Sequence, residues 1–413
     1  MSKSFALLTT SVFSFLFCSG CQQFLQADSP VAVIPPLQAE PEPILTPLGP
    51  PPPFPLQALN DAQPLTCCKE TSLGWDEQIW RSDKQELLQA IDYSLSYLAS
   101  SSAARAYRNY PFPEITRERV LNSLQRFRQL LVAAASPVQL QAWVQQEFTF
   151  YQAIGEDGWG KVLFSAYYEP IYEASRVATP EYRYPIYRKP TNLDQWSLPH
   201  PTRAELEGED GLKSNSKIKG LELFWLKDRW QSYQIHLQGS AKLRLTDGSE
   251  TSVNYAASTR RDYVSIGWEL VQDGKLPLDT LTMPLIEDYF KQYPEEFHPY
   301  LNRDRSFVFF QETKGKPAKG SIQKSLTPER SIATDKSLMP PGALALIHTE
   351  IPEIEATGEI EMRPISHYVL DQDAGGAIKG PGRVDYFLGS GEAAGKRAGV
   401  TRSYGQLYYL LLK

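Results

Sequence analysis

The stretch from Ser29 to Pro64 decides where a folded body can begin. Proline dominates it, most densely in "GPPPPFPL" from Gly49 to Leu56. Proline fixes φ and has no N–H to give to a helix or a ladder, so such a run prefers extended polyproline II geometry and builds no core. It reads as a tether over residues 22–71, with the folded chain starting near residue 72. An equally simple reading is a leader with no role.

What precedes the tether suggests why one is needed. Lys3 is followed by an apolar run from Phe5 to Phe17. That run is too short to cross a bilayer and has the length of an export-signal core. Cys18-Ser19-Gly20-Cys21 comes next. Small residues just before a cysteine resemble a bacterial lipoprotein cleavage site, so residues 1–21 are expected to be a signal, with Cys21 lipidated and holding the protein to a membrane. Cys18 stands where that pattern usually has Leu, and cleavage after Ala27 is the alternative. The other two cysteines, Cys67 and Cys68, are adjacent and poorly placed to pair with each other. The histidines (His200, His236, His298, His348, His367) are scattered, and no Cys/His ligand spacing occurs, so no metal and no cofactor is expected. A formal net charge of −6 provides no general attraction for nucleic acid.

Along the folded part the hydrophobic period changes once. Leu87, Leu88, Ile91, Leu95 and Leu98 recur at helical spacing, as do Val120, Leu124, Phe127 and Leu131. Ser136-Pro137-Val138-Gln139 has the form of a helix start. From about residue 160 a period of two takes over. Tyr233, Ile235 and Leu237 alternate with polar residues, and so do Leu243 and Leu245. Asp247-Gly248 then predicts a hairpin into Thr251, Val253 and Tyr255. Further short strands are expected in "SFVFFQE", "GALALIHTEI", "HYVLDQD", "VDYFLG" and "GQLYYLLL". Short strands between Gly and Pro turns favour a barrel over a doubly wound sheet.

The motifs exclude more than they assign. "GSGEAAG" has the wrong glycine spacing for a dinucleotide, "GGAIKGP" lacks the Lys-Ser/Thr of a phosphate loop, and neither GxSxG nor HExxH occurs. Carboxylates and aromatics remain. "DAGGAIKGPGRVDYFLGSG" places Asp373 and Asp385 in a glycine-rich stretch. They are either turn residues or acids whose glycine neighbours let a bulky ligand approach the backbone. Glycoside cleavage needs such an acid and an aromatic groove. "FSAYYEP", "YPIYRKP" and "HLQGS" supply suitable surface.

Ordered segments sharpen this. "FSAYYEPIYEAS", "RYPIYRKP", "TRAELEGE", "LELFWL", "HLQGSAKLRLTDGS", "YVSIGWELV" and "NRDRSFVFFQE" are followed by "SIATDKSLMPPGA" and the Asp373–Gly391 stretch. Over roughly residues 160–412 the chain resembles the membrane-bound lytic murein transglycosylase A family with its C-terminal three-aspartate domain. The resemblance implies a mainly β protein with N-terminal helices: a double-psi β-barrel from residues 72–170 and 306–413, and a smaller inserted β-domain at 171–305. It implies a groove for peptidoglycan glycan strands, a monomer, and a place at the periplasmic face of the outer membrane. The family's catalytic acid/base falls on Asp385, and Asp373 and Asp335 are the supporting acids. Tyr168, Glu169, Gln238, Gly239, Ser240, Gly375, Gly376 and Lys379 are the implied substrate-binding positions. The implied reaction cuts the β-1,4 bond between N-acetylmuramic acid and N-acetylglucosamine without water, leaving 1,6-anhydro ends. A water-using muramidase on the same scaffold and a silent glycan-binding protein are the rivals.

Overall fold

The structure is a computed structural model that describes residues 54–59, 73–80, 84–213 and 215–413. Cys21, Cys67, Cys68, the apolar run and most of the proline stretch lie outside the described residues. The proline stretch does not stay clear of the body along its whole length. Leu56–Ala58 forms β1 and pairs antiparallel with β2 (Phe148–Ala153), burying Leu56. Prolines near an edge strand are compatible with pairing through one side only, so within the span 22–71 read as tether, residues 56–58 pair with the body.

Four helices follow: α1 (Lys84–Leu98), α2 (Ser101–Arg108), α3 (Arg117–Ala133) and α4 (Pro137–Glu147). The helical stripes read from the sequence are their buried faces. Leu87, Ile91 and Leu98 of α1, and Val120, Leu124, Phe127 and Leu131 of α3, are all buried. The α4 start uses Ser136, whose Oγ accepts from the Gln139 N–H at 3.2 Å. The Gln139 side chain reaches one residue further back than a capping box requires and accepts from Ala135 N–H at 2.7 Å.

After β3 (Val162–Glu169) a single residue, Pro170, separates the chain from β4 (Ile171–Ala174), which belongs to a different sheet. The inserted lobe then runs through β5 (Tyr184–Tyr187), α5 (Arg203–Glu207), β6 (Glu222–Leu226), α6 (Arg229–Gln238), β7 (Ser240–Leu245), β8 (Glu250–Ser258), α7 (Ile266–Gln272), α8 (Met283–Gln292), α9 (Pro294–Arg303) and β9 (Val308–Glu312). Its strands form a sheet of order β4-β7-β8-β9 and a separate β5-β6 pair. The Asp247-Gly248 hairpin is present, with Gly248 at φ +83°. The insert carries helices beside its sheet, and one of them corrects a strand read from the sequence. Tyr233, Ile235 and Leu237 lie on α6, not on a strand. The run Ser232–His236 is buried at every position, so polar and apolar residues alternate without marking two faces. The overlooked signals were the ends: Asp228 caps by accepting from Gln231 N–H at 2.8 Å, and Gly239 stops the helix in the left-handed region.

The chain returns as β10 (Ser331–Ala333), β11 (Leu344–Ile354), β12 (Ile360–Asp373), β13 (Arg383–Ser390), α10 (Glu392–Val400) and β14 (Arg402–Leu412). The strands close a six-stranded barrel in the order β14-β11-β12-β10-β13-β3, with β3 returning to β14. The β10–β12 and β13–β3 pairs are parallel and the rest antiparallel, the mixed pairing of a double-psi barrel. Phe164, Ile332, Ile347, Val384, Tyr386 and Leu407 fill the interior.

One buried ion pair ties the leading segment to this barrel. Arg330 Nη1 lies 2.6 Å from Asp76 Oδ2, and both side chains are fully enclosed. The pair is also saturated with backbone. Asp76 accepts from Gln78, Ile79 and Tyr368 N–H groups, and Arg330 donates to the Tyr368 carbonyl at 2.8 Å. Burial alone would raise the Asp76 pKa, but the Arg330 charge and these hydrogen bonds hold it below the ordinary value. Asp76→Asn leaves the guanidinium buried without its counter-charge, and breaking such a pair typically costs about 3–5 kcal/mol. Urea unfolding at neutral pH should show a loss of that order. Because the folded-state pKa is depressed, the wild-type advantage is present above the unfolded carboxylate pKa and fades as pH falls through the folded one. A variant as stable as wild type at neutral pH would contradict this account.

Candidate active site

The three residues of β10 sit between β12 and β13, and Ala333 pairs with Asp373 on one side and Asp385 on the other. Asp385 in turn pairs with Ser165 of β3, and Ser165 with Arg402 of β14. Asp373, Ala333, Asp385, Ser165 and Arg402 therefore form one row across the outer wall of the barrel. Two strand spacings separate the aspartates, roughly 10 Å between Cα atoms, with only a methyl group between them. Alternation along β3 puts Ser165 and Tyr167 on the same face. Ser165 Oγ donates to Asp385 Oδ1 at 2.6 Å, and Tyr167 Oη donates to Asp373 Oδ2 at 2.8 Å. Tyr167, Phe387, Ala318, Leu326 and Ala333 make an apolar bed around the row.

The loop 374–380 is fastened at both ends by carboxylates. Asp373 Oδ1 accepts from the N–H groups of Ala374 and Ser321, each at 2.8 Å. Asp335 Oδ2 accepts from Gly380 N–H at 3.0 Å, and its Oδ1 is held by the Ser337 N–H and hydroxyl. Between these ends Gly376 meets the inserted lobe. A Cβ placed there would lie 3.5 Å from the Tyr263 Cβ. The loop therefore spans from the barrel to the insert.

The three aspartates differ electrostatically. Burial raises the Asp385 pKa, opposed only by the Ser165 hydroxyl and the charge of Arg383. Asp373 is raised by burial as well, opposed by the Ala374 N–H, Tyr167, the Ser321 N–H and the charge of Lys336. For Asp335 burial is outweighed by the Ser337 hydroxyl, the Gly380 N–H and the Lys379 charge, and its pKa is lowered. Asp373 is not among the groups that shift Asp385. Asp385 is half-buried, and its Oδ2 has no protein partner among the described residues. It is a carboxyl suited to carrying a proton toward a ligand.

Family models match two parts of the chain: the MltA specific insert domain over residues 163–311 and the 3D domain over residues 330–411. The Escherichia coli K12 protein named membrane-bound lytic murein transglycosylase A is 31% identical over 262 residues, 63% of this chain and 68% of that protein. This chain belongs to the membrane-bound lytic murein transglycosylase A family. A Vibrio cholerae protein of the same name is 30% identical over 263 residues, covering 63% of this chain and 68% of its own. Among solved structures, E. coli MltA with bound chitohexaose aligns at TM-score 0.64 and 26% identity, over 87% of this chain and 94% of that one. A membrane-bound lytic murein transglycosylase from Agrobacterium tumefaciens aligns at TM-score 0.65 and 25% identity, over 82% and 95%.

Not all of the positions that the family resemblance singled out gather at Asp385. Gly375, Gly376 and Lys379 lie on the loop between Asp373 and β13, where the Lys379 charge acts on Asp335 and a Cβ on Gly375 would sit 2.9 Å from the Ile378 side chain. Glu169 lies at the far end of β3, at the joint between the lobes. Its Oε2 accepts from Ser390 Oγ at 2.7 Å and lies 3.6 Å from Lys242 Nζ, and its buried Oε1 has no partner. Gln238, Gly239 and Ser240 form the α6 stop and the β7 start, and Gln238 Oε1 accepts from Tyr168 N–H at 2.9 Å. Tyr168 is one residue out of phase with the row. Its ring packs on Gly395 of α10, where a Cβ would clash at 2.8 Å, and its hydroxyl pairs with Tyr172. The residues that reach the aspartates are its neighbours Ser165 and Tyr167. A one-residue shift exchanges the faces of a strand, and the alternation within "FSAYYE" was the signal available.

Because burial raises the Asp385 pKa, ionising this group at neutral pH works against the fold. The stability it supports is complete below the unfolded pKa and declines as pH rises through the folded one. Asp385→Asn should therefore melt higher than wild type at pH 7–8, with the gap closing by about pH 3, near the unfolded aspartate value. Differential scanning calorimetry at the two pH values checks this, and a lower melting temperature at pH 7–8 would refute it.

Proposed function

We propose that this protein is a lytic transglycosylase that cleaves the β-1,4 bond between N-acetylmuramic acid and N-acetylglucosamine in peptidoglycan, with Asp385 acting as acid and then as base. The observation that carries the reading is the half-buried Asp385 carboxyl on the barrel wall, with one oxygen occupied by Ser165, the other without a partner among the described residues, and a pKa raised by burial. Family membership and the chitohexaose bound to the E. coli relative support a glycan as its ligand.

The protonated Asp385 gives its proton from Oδ2 to the bridging oxygen, and the bond from that oxygen to the muramoyl C1 breaks. Positive charge builds on C1 in an oxocarbenium-like transition state beside the carboxylate being formed. Asp385 then takes the proton of the muramoyl C6 hydroxyl as O6 bonds to C1, which closes the 1,6-anhydro ring and regenerates the acid. The nucleophile belongs to the substrate, so one carboxyl completes the cycle without a second or an activated water. Ser165 holds Oδ1 and fixes which oxygen carries the proton. Asp373 and Asp335 hold the two ends of the loop 374–380 against the bound strand.

Purified protein incubated with sacculi should release muropeptides ending in 1,6-anhydromuramic acid. Asp385→Asn should reduce that release by about 10² to 10⁴-fold or more, the range for general acid–base catalysis, while still binding glycan. Mass spectrometry of the products decides the chemistry. Fragments carrying one added water would establish a muramidase, and turnover by Asp385→Asn close to wild type would remove this residue from the mechanism.

The N-terminal signal supports attachment through a lipid on Cys21 at the periplasmic face of the outer membrane. Cys21→Ala should move the protein from the membrane to the soluble fraction on cell fractionation. A mature wild-type N-terminus beginning beyond Cys21 would rule the anchor out.

A further inference from the structure

The inserted lobe contains a cavity of about 700 Å³ outside the row of aspartates, and its charged lining is Arg260, Arg261, Asp262, Glu269, Arg303 and Arg305. One of the four arginines is neutralised within the lobe: Arg303 is 2.9 Å from Glu269 and 2.7 Å from Asp273. The other three are not. Arg260 and Arg305 are exposed and have no side-chain partner among the described residues. Arg261 gives only its Nε, to the His200 carbonyl at 2.6 Å. Of the two lining carboxylates Glu269 is paired with Arg303 and Asp262 is exposed, while Glu205, outside the lining, also lies near Arg261.

The stretch that presents these arginines is pinned along its length. Thr259 N–H donates to the Phe307 carbonyl at 2.8 Å, Arg260 N–H to His200 Nδ1 at 3.2 Å, and Val264 N–H to the buried Asp304 at 3.3 Å. The backbone behind Arg305 is held too, its carbonyl accepting from Arg203 N–H at 3.2 Å. A fixed backbone carrying unpaired guanidinium groups at a concave surface is organised for carboxylates, which guanidinium binds through two parallel hydrogen bonds. The chain links the cavity to the loop 374–380: Tyr263 stands in sequence between the lining residues Asp262 and Val264, and its Cβ is the atom that faces Gly376.

We propose that this cavity binds the carboxylates of the short peptides that branch from the muramoyl residues of the glycan strand, which makes it a peptide subsite. The inference rests on the reading of the chain as a peptidoglycan enzyme. Long polyanions fit less well, since Asp262 and Glu269 share the lining and the whole chain is net negative. A short peptide with a few carboxylates, delivered by the strand in the groove, matches both the size and the mixed lining.

The test compares the Arg260→Ala/Arg305→Ala double variant with wild type on peptide-bearing glycan strands and on the same strands stripped of peptides by an amidase. The expected result is a loss of at least about tenfold in kcat/KM on the peptide-bearing strands, and an unchanged value on the stripped ones. Equal losses on both substrates, or no loss on either, would overturn the proposal. Calorimetric titration of wild type with a free anionic stem tetrapeptide separates this from the catalytic reading. Salt-sensitive binding that the double variant lacks supports the subsite even if neither strand is cleaved, a result that would reject only the proposed reaction. Absence of peptide binding to wild type would overturn the subsite regardless of turnover.

Discussion

The Asp76–Arg330 pair is the constraint on which the site depends. Arg330 directly precedes β10, a strand of only three residues paired on both sides, which has little of its own to fix its position. The guanidinium anchors it from behind, and the Arg330 carbonyl accepts from Leu370 N–H at 2.8 Å, setting the register with β12. Register is what brings Asp373 and Asp385 to the two sides of Ala333. A shift of one residue would send either carboxylate to the barrel interior, where Ile332, Val384 and Tyr386 pack. The geometry of the aspartates thus follows from a charge pair on the far side of the wall.

On the outer side, one strand does the orienting. β3 supplies the Ser165 hydroxyl to one aspartate and the Tyr167 hydroxyl to the other, and two residues later Glu169 stands where the barrel chain enters the insert. The three carboxylates do different jobs. Asp335 and Asp373 spend their oxygens on backbone N–H groups around the loop 374–380, whereas Asp385 has one side-chain partner and a free oxygen. For Asp373 the bonds to Ala374 and Ser321 N–H groups are those of a turn residue, which was one of its two readings.

Much of this was legible in the sequence, and the losses have physical causes. The stripes of α1 and α3 and the barrel strands were readable because each buries one face or one unbroken run. α6 was not, because a helix enclosed on all sides carries no period, and its capping residues outweighed the alternation of Tyr233, Ile235 and Leu237. Strand β1 was hidden by the prolines around it. The aspartates were visible as residue types in a glycine-rich stretch. Their partners Ser165 and Tyr167 lie more than two hundred positions away, and no local pattern reports such a pairing.

That separation bears on how the molecule assembles. The bond from Ser165 to Asp385 joins residues 220 positions apart, and closing so long a loop of free chain is entropically slow. The insert changes the problem. It begins with β4 and ends with β9, the two edges of one four-stranded sheet. Once that sheet forms around its own core of Ile235, Leu243, Val253 and Phe310, its entry and exit are fixed at roughly 14 Å apart, three strand spacings. The search then runs over a short span instead of a long coil, so the inserted lobe also acts as a clasp that draws the two halves of the barrel within reach of each other.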